Sequence, residues 1–212
     1  MLSDSSIAFL KRLLDTPGPS GFEGAPARVW RDEAAPFARV SADVTGNSLA
    51  AVDPAPTITP VEPVTIMLAG HIDEIGVIVT WVDEGGLVYI APIGGWDTQV
   101  LVGQRIRFAG RNGDVVGVIG KKPIHLMKPD EREKVTKVAD MWVDIGAASR
   151  DEALALVDIG DAGVIDSRTI DLPNNRIASR SIDNRIGAFV VLEALRRYAE
   201  HPGSARVVAV AT

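Results

Sequence analysis

Apolar side chains recur at helical spacing near the start of the chain. Ile7, Leu10, Leu13 and Leu14 fall on one face behind the cap candidates Ser3, Asp4 and Ser5, and Pro17 and Pro19 close the segment. An Ala-rich stretch at 25–35 predicts a second helix. Residues 38–44 and 48–52 predict a strand pair turned through Thr45-Gly46-Asn47. After a Pro-rich loop from Asp53 to Pro63, the unbroken apolar run VTIMLA at 64–69 has the length of a strand buried on both faces.

The texture then changes. Between about Gly76 and Asp166 the short runs VIVTWV, LVYIA, RIRFAG, DVVGVIG and MWVDIG alternate with Gly-Gly, Asn-Gly and Asp-Glu-Gly-Gly turns. Regular short strands of this kind predict a small β-barrel or sandwich, relieved by one short helix over 149–156. After Ser181 helical spacing returns through Ile186, Phe189, Val190, Leu192, Ala194, Leu195 and Tyr198, until Pro202-Gly203 stops it. A last apolar run, RVVAVAT, reads as another buried strand. The organisation predicted is an α/β layer of residues 1–75 and 167–212, interrupted by an all-β insert at 76–166. The chain stops on a core strand with no turn or polar tail. The expectation is a missing C-terminal part, with apolar faces left exposed where its partners would pack.

Composition narrows the chemistry. The 212 residues contain no cysteine, which removes disulfide scaffolds, thiolate zinc sites, iron–sulfur clusters and cysteine nucleophiles. A net charge of −6 leaves no long basic stripe for a phosphate backbone, so no nucleic-acid partner is expected. No apolar stretch reaches the ~18 residues of a membrane span, and the amphipathic N-terminus is no secretory signal. A cytoplasmic, membrane-free protein is the expectation. The four tryptophans, at 30, 81, 96 and 142, are scattered and fit core or interface packing better than a stacking platform.

Two segments could carry chemistry. Gly70-His71-Ile72-Asp73-Glu74-Ile75-Gly76 follows the VTIMLA run directly. Residues two apart on extended chain share a face, so His71 and Asp73 point together while Ile72 packs opposite. The carboxyl end of a core strand is where open α/β sheets place ligands. An imidazole there can bind a metal through one nitrogen while a carboxylate holds the other N–H. The plain alternative is a strand-end histidine in a polar contact. The second segment is Ser179 to Gly187, where Asp183 stands at the start of the long helix. It is either an ordinary helix cap or a carboxylate bridging two cations, with Asn184 and Arg185 holding its surroundings. His125, in a loop of the β insert, and His201, after a helix end, are not metal candidates.

Taken in order, several pieces form a series: Pro19-Ser20-Gly21-Phe22-Glu23, Asp43-Val44-Thr45-Gly46-Asn47, and the segment from Gly70 to Gly76. Gly94-Gly95-Trp96 with Gln99-Val100-Leu101, Asp144-Ile145-Gly146-Ala147 and Ser181-Ile182-Asp183-Asn184-Arg185 continue it. The series resembles the glutamyl/deblocking metallo-aminopeptidase family, the tetrahedral (TET) aminopeptidases, some of whose members are called cellulase M or endoglucanase. The resemblance implies a zinc-peptidase-like mixed sheet flanked by helices, carrying a small all-β insert domain. It also implies two divalent cations per subunit, zinc or cobalt. His71 would ligate one ion, Asp183 would bridge both, and Asp73 would orient His71 from behind. Peptide substrates and homo-oligomers, dimers assembling to a dodecamer, are implied as well. In that family the general-base glutamate and the remaining ligands lie beyond the strand matching RVVAVAT, so the 212 residues alone are expected to be inactive. The alternatives are an endoglucanase-type glycoside hydrolase, which needs two opposed carboxyls and no metal, and a non-catalytic oligomeric interaction protein.

Overall fold

The computed structural model describes residues 2–56 and 63–212. Most of the Pro-rich loop predicted from Asp53 to Pro63 lies outside the described residues. The chain divides into two compact units, residues 1–74 with 168–212, and residues 75–167.

In the first unit, helix α1 (Asp4–Asp15) starts where the Ser3 side chain accepts the Ser6 amide hydrogen, and it ends two residues before Pro17. Its buried stripe is Phe9, Leu10, Leu13 and Leu14, while Ile7 is exposed. Helix α2 (Gly24–Ala34) buries Trp30, whose indole N–H donates to the Ala188 carbonyl at 2.9 Å. Strands β1 (Arg39–Ala42) and β2 (Ser48–Val52) pair antiparallel. The Asp43 carboxylate ties their turn by accepting from the amides and side chains of Thr45 and Asn47. Strand β3 (Thr65–Gly70) follows.

The second unit holds β4 (Gly76–Val82), β5 (Val88–Ile93), β6 (Arg105–Gly110), β7 (Gly113–Lys121), the single-turn helix α3 (Pro129–Arg132), β8 (Met141–Asp144), helix α4 (Arg150–Leu156) and β9 (Ala162–Ile165). Of the barrel and the sandwich that the sequence allows, the barrel forms, closed in the order β4-β5-β8-β7-β6-β9. Alternation places Val77, Val79, Val88, Ile90, Ile106, Phe108, Ile119 and Val143 inside it. Closure depends on β9, a four-residue strand too short to show a period.

The chain returns to the first unit through the hairpin β10 (Ile170–Leu172) and β11 (Arg176–Ala178), helix α5 (Ile182–Glu200) and β12 (Arg206–Ala211). The sheet order is β1-β2-β12-β3, with β12 antiparallel to β2 and parallel to β3. Helices cover one face of this mixed sheet. Phe9, Leu13, Leu14, Trp30, Phe189 and Leu192 form its core with Ala209 and Ala211 of β12. Strand β12 is buried, as RVVAVAT predicts.

Strand β3 departs from expectation. It is not buried on both faces: Ile66 and Met67 are 46% and 67% exposed. Among the described residues it pairs on one side only, with β12. Apolar composition gives a run its length and strand character, but burial depends on what lies beside and above it. Among the described residues, no helix is long and apolar enough to cross a membrane.

Candidate functional site

Strand β3 ends at Gly70, and the close approach there sets the site. A Cβ on Gly70 would lie 2.5 Å from the Ala188 nitrogen and 2.6 Å from the Gly187 carbonyl carbon. Only glycine lets the first turns of α5 lie directly against the end of the strand. His71 follows, and Ile72 packs inward at 1% exposure. As the alternation predicts, His71 and Asp73 share a side, with His71 Nδ1 2.7 Å from Asp73 Oδ1. An N···O separation this short requires a proton between the atoms, so Nδ1 carries hydrogen and in the neutral ring Nε2 presents its lone pair. On that open side His71 Nε2 lies 3.3 Å from Asp183 Oδ1. The Asp183 side chain is almost wholly exposed, at 97%.

Asp183 is not the helix cap. Asp183 and Asn184 both have non-helical backbone angles, and the peptide bond between them is cis. The Asn184 side chain accepts the Gly187 amide hydrogen at 3.2 Å and so serves the first turn. The ordinary capping role open to Asp183 in the sequence falls to its neighbour, which leaves the Asp183 carboxylate free to face His71.

Below these side chains lies a buried ionic frame. Arg185, fully buried, donates from Nε to the Ile72 carbonyl at 2.7 Å and from Nη1 to the Leu13 and Thr16 carbonyls at 2.9 and 2.5 Å. Its Nη2 lies 3.2 Å from Glu74 Oε1, and Arg180 Nε lies 2.8 Å from Glu74 Oε2. Burial pulls the Arg185 pKa down to about 10, opposed by the Glu74 carboxylate, so the guanidinium stays charged at neutral pH. One guanidinium thus binds the end of α1, the strand-end segment and the start of α5 together. The loop before α2 joins the same frame: the Ser20 amide donates to the Glu74 carbonyl, and the Ser20 hydroxyl donates to Asp73 Oδ2.

The three residues singled out in the sequence therefore meet: His71 stands between Asp73 and Asp183. His201 is at the far end of α5 from Asp183, and His125 belongs to a 3₁₀ turn of the second unit. Among the described residues, no group of three or more His, Cys, Asp or Glu side chains is arranged to hold a metal ion. Sequence reasoning gave no role to Ser20, Glu74 or Arg180. Ser20 lay in a recognised segment, but nothing in the sequence ties it to Asp73, fifty-three positions away.

The model of the M42 glutamyl aminopeptidases matches residues 58–212. The chain belongs to this family. A lysyl aminopeptidase of Pyrococcus furiosus is 32% identical over 209 residues, covering 94% of this chain and 57% of its own. A TET aminopeptidase structure from the marine sediment archaeon Thaumarchaeota archaeon SCGC AB-539-E09 superposes with a TM-score of 0.90 at 36% identity, covering 99% of this chain and 59% of that one. The TET1 peptidase of Pyrococcus horikoshii, described as assembling into a tetrahedron or a large octahedral shell, superposes at 0.85 with 28% identity, covering 98% and 60%. This M42 chain thus spans somewhat under two thirds of the length of these relatives.

Proposed function

We propose that the first unit is part of the catalytic domain of a metal-dependent aminopeptidase, with the second unit its β-barrel insert. In this reading His71 and Asp183 hold a divalent cation, Asp183 reaches toward a second ion, and Asp73 orients the imidazole. The observation that carries the proposal is the 3.3 Å between His71 Nε2 and Asp183 Oδ1. Two ligands on a tetrahedral zinc, each about 2.0–2.1 Å from the ion, stand roughly 3.4 Å apart. An imidazole nitrogen beside a carboxylate suits zinc or cobalt.

Bound cations supply an acidified water and a polarised peptide carbonyl at such a site. The chain's own residues prepare for that chemistry. Asp73 keeps the proton on His71 Nδ1, so the free lone pair is on the nitrogen facing Asp183. Ser20 occupies the other Asp73 oxygen and stops the carboxylate rotating away. Two donors do not complete a four-coordinate ion, so the 212 residues by themselves are expected to bind metal weakly and hydrolyse no peptide. The tetrahedron or large octahedral shell described for the Pyrococcus horikoshii relative supports a homo-oligomer for the full-length protein, and a dodecamer built from dimers is the form proposed for it.

A glycoside hydrolase is less consistent with the geometry. It needs two available carboxyls flanking the scissile bond, and both Asp73 oxygens are engaged, one by His71 and one by Ser20.

The test uses the full-length gene product. Aminoacyl p-nitroanilides should be hydrolysed and carboxymethylcellulose left intact, with the peptidase activity lost on chelation. His71→Ala and Asp183→Ala should each remove bound metal, read by elemental analysis, and nearly all turnover while the circular dichroism stays native. Normal metal content and retained turnover in both variants would overturn the assignment.

A further inference from the structure

Two of the scattered tryptophans line up on the outer wall of the barrel. Trp81 of β4 is the register partner of Tyr89 of β5, and their rings stand 5.0 Å apart. Val88 of β5 pairs with Val143 of β8, and one step along this antiparallel register sets Tyr89 beside Trp142. Trp142 in turn is the partner of Gly120 of β7. A Cβ on Gly120 would come within 2.7 Å of the Trp142 indole nitrogen, so the ring lies flat over a strand position with no side chain. Interior positions alternate with these, and Val88, Ile119, Met141 and Val143 are all buried. The aromatic row is therefore not part of the barrel core.

A cavity of about 500 Å³ opens on this row, in the range that suits a small ligand. Tyr89 and Trp142 line it together with Lys121, Lys122, Lys134 and Lys137. Glu131 and Asp140 also face it, giving four ammonium groups against two carboxylates in a protein of net charge −6. Lys122 is spoken for by Glu131 at 2.9 Å, and Lys134 stands 3.5 Å from Asp130. Lys121 and Lys137 form no ion pair among the described residues. The half-buried Lys121 ammonium donates only to the Thr136 hydroxyl, at 3.1 Å.

An aromatic wall alone would welcome a cation over its face, but four lysines at the rim repel one. They leave a guest with a negative charge for Lys121 and Lys137 and a flat apolar body for Trp142 and Tyr89. We propose that this cavity is a binding site for a small organic anion with a planar apolar body, an aromatic carboxylate being the simplest case. The site lies within the barrel unit and uses neither His71 nor Asp183, so it stands or falls separately from the peptidase reading.

Isothermal titration of the purified protein with indole-3-acetate tests it, with tryptophol as the uncharged isostere and acetate and inorganic phosphate as anions without the ring. Indole-3-acetate should bind at one site per chain, with each of the other three weaker by about tenfold or more. Lys137→Met, at an exposed position where folding is not at risk, and Lys121→Met should each weaken binding about tenfold. Trp142→Ala should abolish it. Lys128→Ala, outside the cavity, should change nothing. Equal affinity for tryptophol or phosphate, or unaltered affinity in both lysine variants, overturns the proposal. So does a Trp142→Ala protein whose sedimentation changes while no titration heat is seen even in the parent, because the row is then a contact between copies.

Discussion

The Asn184 side chain accepts the Gly187 amide hydrogen at 3.2 Å, and this contact leaves the neighbouring Asp183 carboxylate without a structural duty. Asn184→Ala should therefore cost about 1 kcal/mol of stability, as loss of a helix cap does. The bare first turn would then compete for Asp183, so zinc or cobalt affinity should fall as well. Urea unfolding and metal titration of the same variant check both effects. A stability loss with untouched metal affinity would separate the two roles.

Glu74 and Arg185 are both buried and face each other at 3.2 Å. Glu74→Ala leaves the buried Arg185 guanidinium without its carboxylate and should cost about 3–5 kcal/mol. The double variant Glu74→Ala/Arg185→Met removes the stranded charge at Arg185 and should lose less than the sum of the two single variants. Urea denaturation followed by the fluorescence of Trp30, buried in the same unit, measures both.

Asp73→Ala should weaken metal binding by about 10–100-fold, since it frees the His71 ring to rotate and to move its proton. Ser20→Ala should act in the same direction and less strongly, and Ser20→Thr should restore most of the loss because its hydroxyl can still donate. Calorimetric titration with cobalt orders the three variants. An unchanged affinity in Asp73→Ala would remove the orienting role.

The turn between β1 and β2 should respond to acid. Hydrogen bonds from Asn47 and Thr45 hold the Asp43 pKa below its ordinary 3.8. Because the folded value lies under the unfolded one, the stabilisation is complete above the ordinary value and is lost as pH falls through the lowered one. A carbon-NMR titration of the Asp43 carboxyl should give a midpoint under 3.8, and Asn47→Ala should move it upward.

What the sequence made legible was whatever is local. Ser3 and the spacing of Leu10, Leu13 and Leu14 mark α1, and the two-residue period of His71 and Asp73 places both on one side of the chain. The family resemblance supplied what local pattern could not, the pairing of His71 with Asp183 across more than a hundred residues. Strands of three or four residues, β9, β10 and β11, are too short to show a period, so the strand that closes the barrel and the last hairpin went unread, although the barrel itself was one of the two forms the sequence offered. The exposure of β3 was illegible for another reason, since VTIMLA has the composition of a buried strand wherever its neighbours lie. Arg185 was legible only as a neighbour of Asp183, and its partners Glu74 and Arg180 left no trace, because charged residues read as surface until their partners are known.

Gly70 offers nothing but a hydrogen atom where α5 crosses the end of β3, and that hydrogen works as a spacer of fixed thickness. Helix and strand each carry one of the groups proposed to grip the cation, so the width of the grip is set by an atom that touches neither. A methyl group at position 70 would wedge the jaws open while leaving every ligand in the sequence intact. A chain of this kind would keep its whole motif and still lose the proposed grip.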